Sequence, residues 1–274
     1  MIQEYRNKIK LSERLMMSAG MVTPGSLVAD VGCDHAHTSI WLVMNGIAPR
    51  TIAMDVRTGP LEKASGNIRM YGLEDKIELR LSDGLSELKE NEVDSIIISG
   101  MGGVLTVQIL SNGIEKAKAA KELILQPQSD IGFVRRFLRE QGFSIVYEKM
   151  CRDCGKFYTA MKALPYKLSA KMEAEPVNFD MGMEAESGKN SELSDNNDKI
   201  WQEVNDEFGE YLLKSKNPVL KELLMSLKAK NERNLKQIDS GKSGLDRSAR
   251  KEKILEHEGE LIRLALLSIM ETDS

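Results

Sequence analysis

The chain has 274 residues, long enough for one large domain or for a domain with an appendage, and its 41% hydrophobic content supports a proper core. Three cysteines, Cys33, Cys151 and Cys154, are too few for a disulfide framework and favour a reducing, cytoplasmic compartment. Charged residues near the amino terminus exclude a signal peptide's apolar core, and no uncharged run is long enough to span a membrane. The net charge of −4 gives no general support for a nucleic-acid partner.

The first elements are a helix, a buried strand and a polar turn. Apolar residues at helical spacing predict an amphipathic helix over residues 8–19, ended near Gly20. Residues 27–31 predict a buried strand that runs into a tight turn containing Gly32. In a parallel α/β sheet such a turn faces the ligand crevice. An ordinary strand followed by a capped helix is the structural alternative.

The polar side chains of this turn indicate the kind of ligand. A dinucleotide-binding turn needs glycines so that a pyrophosphate can approach, whereas Asp34 at such a position repels phosphate. The turn therefore favours a ligand without phosphates. S-adenosylmethionine is suitable because its sulfonium is positively charged and tolerates carboxylate neighbours. The candidate cofactor-binding residues here are Asp30, Gly32, Asp34 and His35.

Two further acidic residues follow the next strands. Helices are predicted over residues 38–46 and 59–71, and strands over 51–55 and 77–81. Asp55 ends the second strand, where a carboxylate holds a ribose diol, and we place Val56 in the same site. After the third strand, Asp83 and Gly84 are candidates for receiving the exocyclic amine of an adenine. Asp83 is alternatively the cap of a helix over residues 84–90.

The fourth strand, over residues 93–99, ends in a glycine-rich run. We assign Gly100, Met101 and Gly102 to the cofactor site, because backbone without side chains lets a flat ring approach closely. A plain flexible turn is the alternative. A fifth strand over 123–127, a basic helix over 135–141, and a hairpin pairing 143–148 with 157–163 complete the pattern. Alternating strands and helices predict a mainly parallel, twisted sheet.

Basic residues are concentrated in one segment. Residues 131–165 carry seven Lys or Arg against three Asp or Glu, whereas residues 166–274 carry 17 against 22. This asymmetry suggests an RNA footprint, with solvated helix and hairpin faces as the alternative. The candidate RNA-binding residues are Arg135, Arg136, Arg139 and Lys156. The spacing of Cys151 and Cys154 also occurs in metal sites, but no second pair exists, so we predict no metal and a hairpin turn.

The carboxyl-terminal part has a different character. Residues 166–198 are polar and predict a linker or insert. Leucines at helical spacing then predict two helices, over residues 218–240 and 247–270, that form an antiparallel hairpin. We therefore divide the chain into a cofactor-binding domain, residues 1–165, and a linker with a helical domain, residues 166–274.

Several motifs together resemble the bacterial tRNA (adenine-22-N1)-methyltransferase family. They occur in order from residue 11 to residue 158: Leu11-Ser12-Glu13-Arg14-Leu15, Ala29-Asp30-Val31-Gly32-Cys33-Asp34-His35-Ala36, Thr58-Gly59-Pro60-Leu61, Asp83-Gly84-Leu85, Ser99-Gly100-Met101-Gly102-Gly103, Leu123-Ile124-Leu125-Gln126-Pro127 and Gly155-Lys156-Phe157-Tyr158. The resemblance implies a Rossmann-like class I methyltransferase fold, S-adenosylmethionine as donor, and a coiled-coil-like helical domain that helps to hold tRNA. The chain departs from the family pattern at His37-Thr38-Ser39 and at Gln128.

The expected reaction is methylation of adenine N1, whose in-plane lone pair needs no prior deprotonation. We predict that Asp34 stabilises the developing positive charge or accepts from the N6 amine, and that His35 orients it or relays a proton. Asp34 is alternatively a helix cap or a ligand to the donor's amino group. Two other functions stay open: a small-molecule methyltransferase and a nucleotide-binding regulator without catalysis. We expect a monomer.

Overall fold

The computed structural model describes residues 9–169, 195–240 and 245–270. The chain divides into two compact units, Met1–Ser169 and Ala170–Ser274, where the sequence analysis placed the boundary at residue 165. Of the predicted linker, residues 170–194 lie outside the described residues, whereas residues 195–198 begin a helix. The predicted start of the first helix at residue 8 and the break at 241–244 also lie outside the description.

The first unit is built on a seven-stranded sheet. Its strands are β1 (Val28–Val31), β2 (Thr51–Asp55), β3 (Ile77–Leu81), β4 (Ser95–Ser99), β5 (Glu122–Gln126), β6 (Phe143–Asp153) and β7 (Lys156–Pro165). The strand order is β3-β2-β1-β4-β5-β7-β6, with β7 antiparallel to both of its neighbours and all other pairs parallel. The predicted mainly parallel sheet closed by a hairpin is confirmed.

Helices cover both faces of this sheet. They are α1 (Glu13–Ala19), α2 (His37–Met44), α3 (Thr58–Tyr71), α4 (Gly103–Asn112), α5 (Ile114–Ala119) and α6 (Ile131–Glu140). Because successive side chains of a strand point to opposite faces, Ile96 and Ile98 pack in one core cluster, whereas Ile97 packs with Met17 in another. The buried, β-branched β4 is thus the centre of a sheet covered on both faces.

The hairpin and the loops differ in detail from the sequence prediction. Strand β6 ends at Asp153 and β7 begins at Lys156, so Cys154 and Gly155 alone form the turn. Both have positive φ (48° and 76°), as a two-residue type I′ hairpin turn requires. The predicted helix at 84–90 is a series of turns, and helices α4 and α5 were not predicted. The start of α4 could not be predicted from the sequence because the glycines there are equally compatible with a loop.

The second unit is helical in the part that the structure describes. Its helices are α7 (Asp195–Phe208), α8 (Glu210–Lys214), α9 (Pro218–Ser240) and α10 (Leu245–Met270). Helices α9 and α10 pack as the predicted hairpin: the buried Asn231 amide donates to the Leu255 carbonyl at 2.9 Å, and Gly259 allows close approach to Asn231. Helices α7 and α8 were not predicted, and a coiled coil stays a prediction.

Candidate functional site

The site begins where the strand order of the sheet reverses, between the carboxyl ends of β1 and β4. Ligands of open α/β sheets bind in the crevice at such a switch point. The turn after β1 is fastened to β2, because the amides of Gly32 and Cys33 donate to the Met54 carbonyl at 2.8 and 2.9 Å. Gly32 has φ 73°, and Asp34 and Ala36 are also left-handed, with φ 51° and 57°. Such strained residues concentrate at functional sites.

Asp55 holds this turn against the end of β2. Its buried carboxylate accepts the Asp34 amide at 3.3 Å and the Arg57 amide at 3.0 Å. A carboxylate has about four acceptor positions, so room remains for the two hydroxyls of a ribose. The adjacent Val56 is 59% exposed and offers an apolar surface beside the carboxylate. The structure thus brings Asp55 and Val56 to the same edge as the Gly32 turn.

Asp30 lies below the turn and is almost fully buried. The Ser39 hydroxyl at the start of α2 donates to its carboxylate at 2.8 Å. Burial nevertheless raises the pKa of Asp30 to about 6, and the negative charge of Asp55 adds to the rise. The two carboxylates therefore form one electronegative floor under the crevice, which suits a cationic ligand and disfavours a phosphate.

The predicted catalytic residues lie at the rim. The Asp34 side chain is 70% exposed, and its Oδ1 lies 3.4 Å from Nε2 of His35. The Asn67 amide donates to the His35 carbonyl at 2.9 Å, which fixes the backbone there. The ring of His37 stacks on that of His35 at 5.6 Å, and partial burial together with the neighbouring His35 lowers the pKa of His37. The arrangement places Asp34 and His35 together, while their chemical role stays a prediction.

The residues after β3 are less directly connected to the crevice. Asp83 is exposed at the end of β3, and the Ser82 hydroxyl donates to the Gly84 carbonyl at 2.9 Å. A Cβ on Gly84 would lie 3.0 Å from a methyl group of Ile109, and its φ is 56°. The requirement for glycine at this position therefore comes from packing against α4, which sequence reasoning missed. The adenine contact of Asp83 and Gly84 stays a prediction.

The glycine run after β4 packs closely against three different neighbours. Met101 extends over Gly32, so that a Cβ on Gly32 would lie 2.1 Å from the Met101 methyl group. A Cβ on Gly100 would lie 3.2 Å from Nη1 of Arg14, and one on Gly102 would lie 3.2 Å from the Ser129 hydroxyl. The run is therefore closely packed, and it brings the ends of β1, β4 and β5 together.

Sequence reasoning missed three residues beside this run. Arg14 Nη1 donates to Oε1 of the fully buried Gln126 at 3.1 Å, and its guanidinium lies 5.9 Å from the centre of the Tyr158 ring. All three stand in the motifs that carried the family resemblance, but none was given a role. Their separation along the chain explains this, since Arg14 and Gln126 are 112 positions apart.

The predicted RNA-binding residues require one correction. Arg135 is 4% exposed and its Nε donates to the buried Glu148 carboxylate at 2.8 Å, so it is part of the packing between α6 and β6 and cannot reach a phosphate. The prediction for Arg135 is therefore wrong. Arg136 and Arg139 lie on the exposed side of α6, and Lys156 is exposed at the hairpin turn. RNA contact by these three stays a prediction.

The described residues contain neither a metal-binding cluster nor a membrane-spanning helix. No group of three or more His, Cys, Asp or Glu side chains in residues 9–169, 195–240 and 245–270 is arranged to hold a metal ion. Across the same ranges, no helix is both long and apolar enough to cross a membrane.

Comparison with known proteins identifies the family. The model described as "Methyltransferase domain" matches residues 11–161, which contain every strand of the sheet up to β7. The chain belongs to the methyltransferase domain family. The Rossmann-like methyltransferase fold predicted from the sequence is thereby confirmed. The site at the switch point is accordingly the crevice of a methyltransferase domain.

Individual relatives of this methyltransferase domain carry more specific names. The tRNA (adenine(22)-N(1))-methyltransferase of Bacillus subtilis is 35% identical over 157 residues, which are 57% of this chain and 66%, just under two thirds, of that protein. The crystal structure of the B. subtilis m1A22 tRNA methyltransferase TrmK is 27% identical with a TM-score of 0.76, covering 94% of this chain and 100% of that one. Streptococcus pneumoniae Sp1610, solved in complex with S-adenosyl-L-methionine, is 29% identical with a TM-score of 0.72 and the same two coverages.

Proposed function

We propose that this protein transfers a methyl group from S-adenosyl-L-methionine to N1 of adenine 22 in tRNA. The observation that carries the proposal is the crevice at the switch point, where two buried carboxylates, Asp30 and Asp55, lie under a left-handed Gly32 turn. The names of the B. subtilis relative and of the solved structures support the same substrate.

The residues of the crevice suit this donor. Among the described residues, the side chain of Met101 alone comes within 4 Å of the position that a Cβ on Gly32 would occupy, with its flexible methyl end at 2.1 Å. Asp55 has free acceptor positions for a ribose diol, and the exposed Val56 offers an apolar contact to a base. The electronegative floor favours a cation. When bound, S-adenosyl-L-methionine supplies an electrophilic methyl group on a positively charged sulfur.

The chain's own residues then position the acceptor. Adenine N1 attacks with an in-plane lone pair, so no residue has to remove a proton first. Methylation makes the ring cationic, and the exposed Asp34 carboxylate at the rim stabilises that charge or accepts from the N6 amine. His35, 3.4 Å from Asp34, orients the carboxylate. Most of the rate enhancement thus comes from alignment and from a fixed negative charge.

The glycine run favours a ring nitrogen over an exocyclic amine. Amine methyltransferases usually present a polar residue followed by two prolines and an aromatic residue after the fourth strand. Here Gly100-Met101-Gly102-Gly103 replaces that segment. The segment after β4 therefore lacks the polar side chain that would hold an exocyclic amine there, which supports N1 as the target.

We further propose that tRNA contacts both units and that the protein is a cytoplasmic monomer. Arg136, Arg139 and Lys156 are exposed on the first unit, where they can meet phosphates. The three cysteines are unpaired, as expected in a reducing compartment. The helical hairpin of α9 and α10 provides a second surface for the tRNA, in keeping with the predicted role of residues 166–274.

A methyl-transfer assay with labelled S-adenosyl-L-methionine tests this function. Unmodified tRNA transcripts with adenine or guanine at position 22 serve as matched substrates, and a small-molecule extract serves as the alternative acceptor. We expect label only in the adenine-22 transcript, with the methyl group mapped to N1 by its block of Watson–Crick pairing during reverse transcription. Label in the extract alone would favour a small-molecule methyltransferase. No label anywhere, despite donor binding, would favour a non-catalytic protein.

A further inference from the structure

Arg14 is held in a fixed position by residues of β5 and β7, two strands that are far from it along the chain. Its Nη1 donates to Gln126 Oε1 at 3.1 Å, and its guanidinium stands over the Tyr158 ring at 5.9 Å. Gln126 is fully buried at the end of β5, so its side-chain carbonyl cannot turn to another partner without a cost. The guanidinium is therefore oriented before any ligand arrives.

The cation is oriented toward the crevice. Its Nη1 lies 3.2 Å from the position that a Cβ on Gly100 would occupy, and Gly100 directly follows β4 at the switch point. The next residue, Met101, covers the Gly32 turn, and the Gln128 amide donates to the Met101 carbonyl at 2.8 Å. Arg14 thus lies beside Gly100, next to the residue that covers the Gly32 turn.

The charge of Arg14 is not neutralised within the described residues. Among the described residues, the only hydrogen bond of its guanidinium is to Gln126, a neutral amide, and its ring contact is to Tyr158; none of the ion pairs in the described ranges includes it. Arginine stays protonated at any physiological pH and has five donors, of which one is used. An oriented, half-buried cation with spare donors is suited to bind an anion.

The reaction limits which part of the substrate that anion can be. N1-methyladenine carries a positive charge, so a guanidinium against the ring itself would oppose the reaction. A phosphate next to the target nucleotide has the opposite charge and accepts two parallel N–H bonds. We infer that Arg14 binds a phosphate flanking the target adenosine and so sets the register of the nucleotide over Gly100. This inference rests on the proposed function, because it names a contact of that same site.

Four full-length proteins test the inference: the wild type, Arg14→Gln, Arg14→Lys, and Arg50→Gln as a matched charge control. Arg50 is exposed and directly precedes β2, so it lies at the amino end of that strand, away from the carboxyl ends that form the crevice. The measurements are tRNA affinity over a range of salt concentrations, donor affinity by calorimetry, and steady-state methyl transfer. Arg14→Gln should flatten the slope of log affinity against log salt by about 0.7 to 0.9 and raise KM for tRNA by about ten- to hundredfold. Donor affinity and kcat should stay within about twofold of the wild type.

The two other variants separate a phosphate contact from a structural role. Arg14→Lys should retain the salt slope because it keeps the charge, while Arg50→Gln should change neither slope nor KM. An unchanged slope in Arg14→Gln, or an equal change in Arg50→Gln, would refute the inference. An increase in KM without a change in slope would instead assign Arg14 to a neutral acceptor on the base. Because tRNA binding is measured separately from methyl transfer, a wild type that binds tRNA but methylates nothing would refute only the proposed function.

Discussion

Replacing Asp30 by asparagine should stabilise the first unit at neutral pH. The Asp30 carboxylate is 4% exposed, and burial raises its pKa to about 6 from an ordinary value of 3.8. At about 1.4 kcal/mol per pKa unit, this shift means that the charged form costs the folded state about 3 kcal/mol. Asparagine is neutral at every pH and still accepts the Ser39 hydroxyl through its carbonyl oxygen. The gain should therefore be less than about 3 kcal/mol, because the buried asparagine NH2 replaces an oxygen that can accept a hydrogen bond.

The pH dependence follows from the direction of the shift. Because the pKa is higher in the folded than in the unfolded chain, the proton stabilises the folded state fully below pH 3.8. That contribution is lost as the pH rises to about 6. The advantage of Asp30→Asn should accordingly be about half developed near pH 5 and reach its plateau above about pH 7. Asp30→Asn should also weaken donor binding, because the predicted cofactor site loses a negative charge.

Urea unfolding followed by tryptophan fluorescence measures this effect. Trp41 in α2 reports on the first unit, and a Trp201→Phe background removes the signal of the second unit. Asp75→Asn, the same change at an exposed turn, is the matched control and should show no such pH-dependent gain. A destabilised Asp30→Asn near pH 7, or a difference that stays constant between about pH 5 and pH 8, would refute the reasoning.

Four further changes have defined outcomes. Asp55→Ala should weaken donor binding by about 1–3 kcal/mol because the ribose hydroxyls lose their acceptor, and an unchanged calorimetric affinity would contradict that assignment. Arg135→Ala should lower the free energy of unfolding by about 3–5 kcal/mol, because it leaves the buried Glu148 unpaired, and it should not change the salt slope of tRNA binding in the folded protein. Replacing Arg136, Arg139 or Lys156 by glutamine should flatten that slope by about 0.7 to 0.9 for each phosphate contact, and three unchanged slopes would mark these residues as solvated charges. Ending the chain after Ser169 should leave donor binding intact and weaken tRNA binding, whereas full tRNA affinity would give the helical unit another role.

The sheet and the positions of the acids at the ends of its strands were predictable because their signals are local. A continuous run of β-branched residues such as Ile96-Ile97-Ile98 is typical of a strand that is covered on both faces. The position of an acid at the end of such a strand follows from the topology of the sheet. Asp30 and Asp55 were found in this way. Their positions follow from the strands that carry them.

The features that sequence reasoning missed depend on contacts between distant segments. Nothing near Arg14 indicates that Gln126 will orient it, and nothing near Gly84 indicates that Ile109 will lie against it. The RNA-binding prediction for Arg135 was wrong because it assumed that a charged residue on a helix is exposed, as most are. Arg135 is instead buried, where it pairs with Glu148 of β6. Charge counts along the chain therefore overstate the basic surface of α6.

The position of β7 in the sheet has a consequence for synthesis of the chain. Of the seven strands in the described residues, the last to emerge lies between β5 and β6, and β5 is buried along its whole length. Until residues 156–165 have left the ribosome, the outer edge of β5 has no partner and its unpaired N–H and C=O groups are open to other chains. A nascent or truncated chain that stops within the hairpin should therefore be the species most prone to aggregate, and the final strand completes both the sheet and its protection.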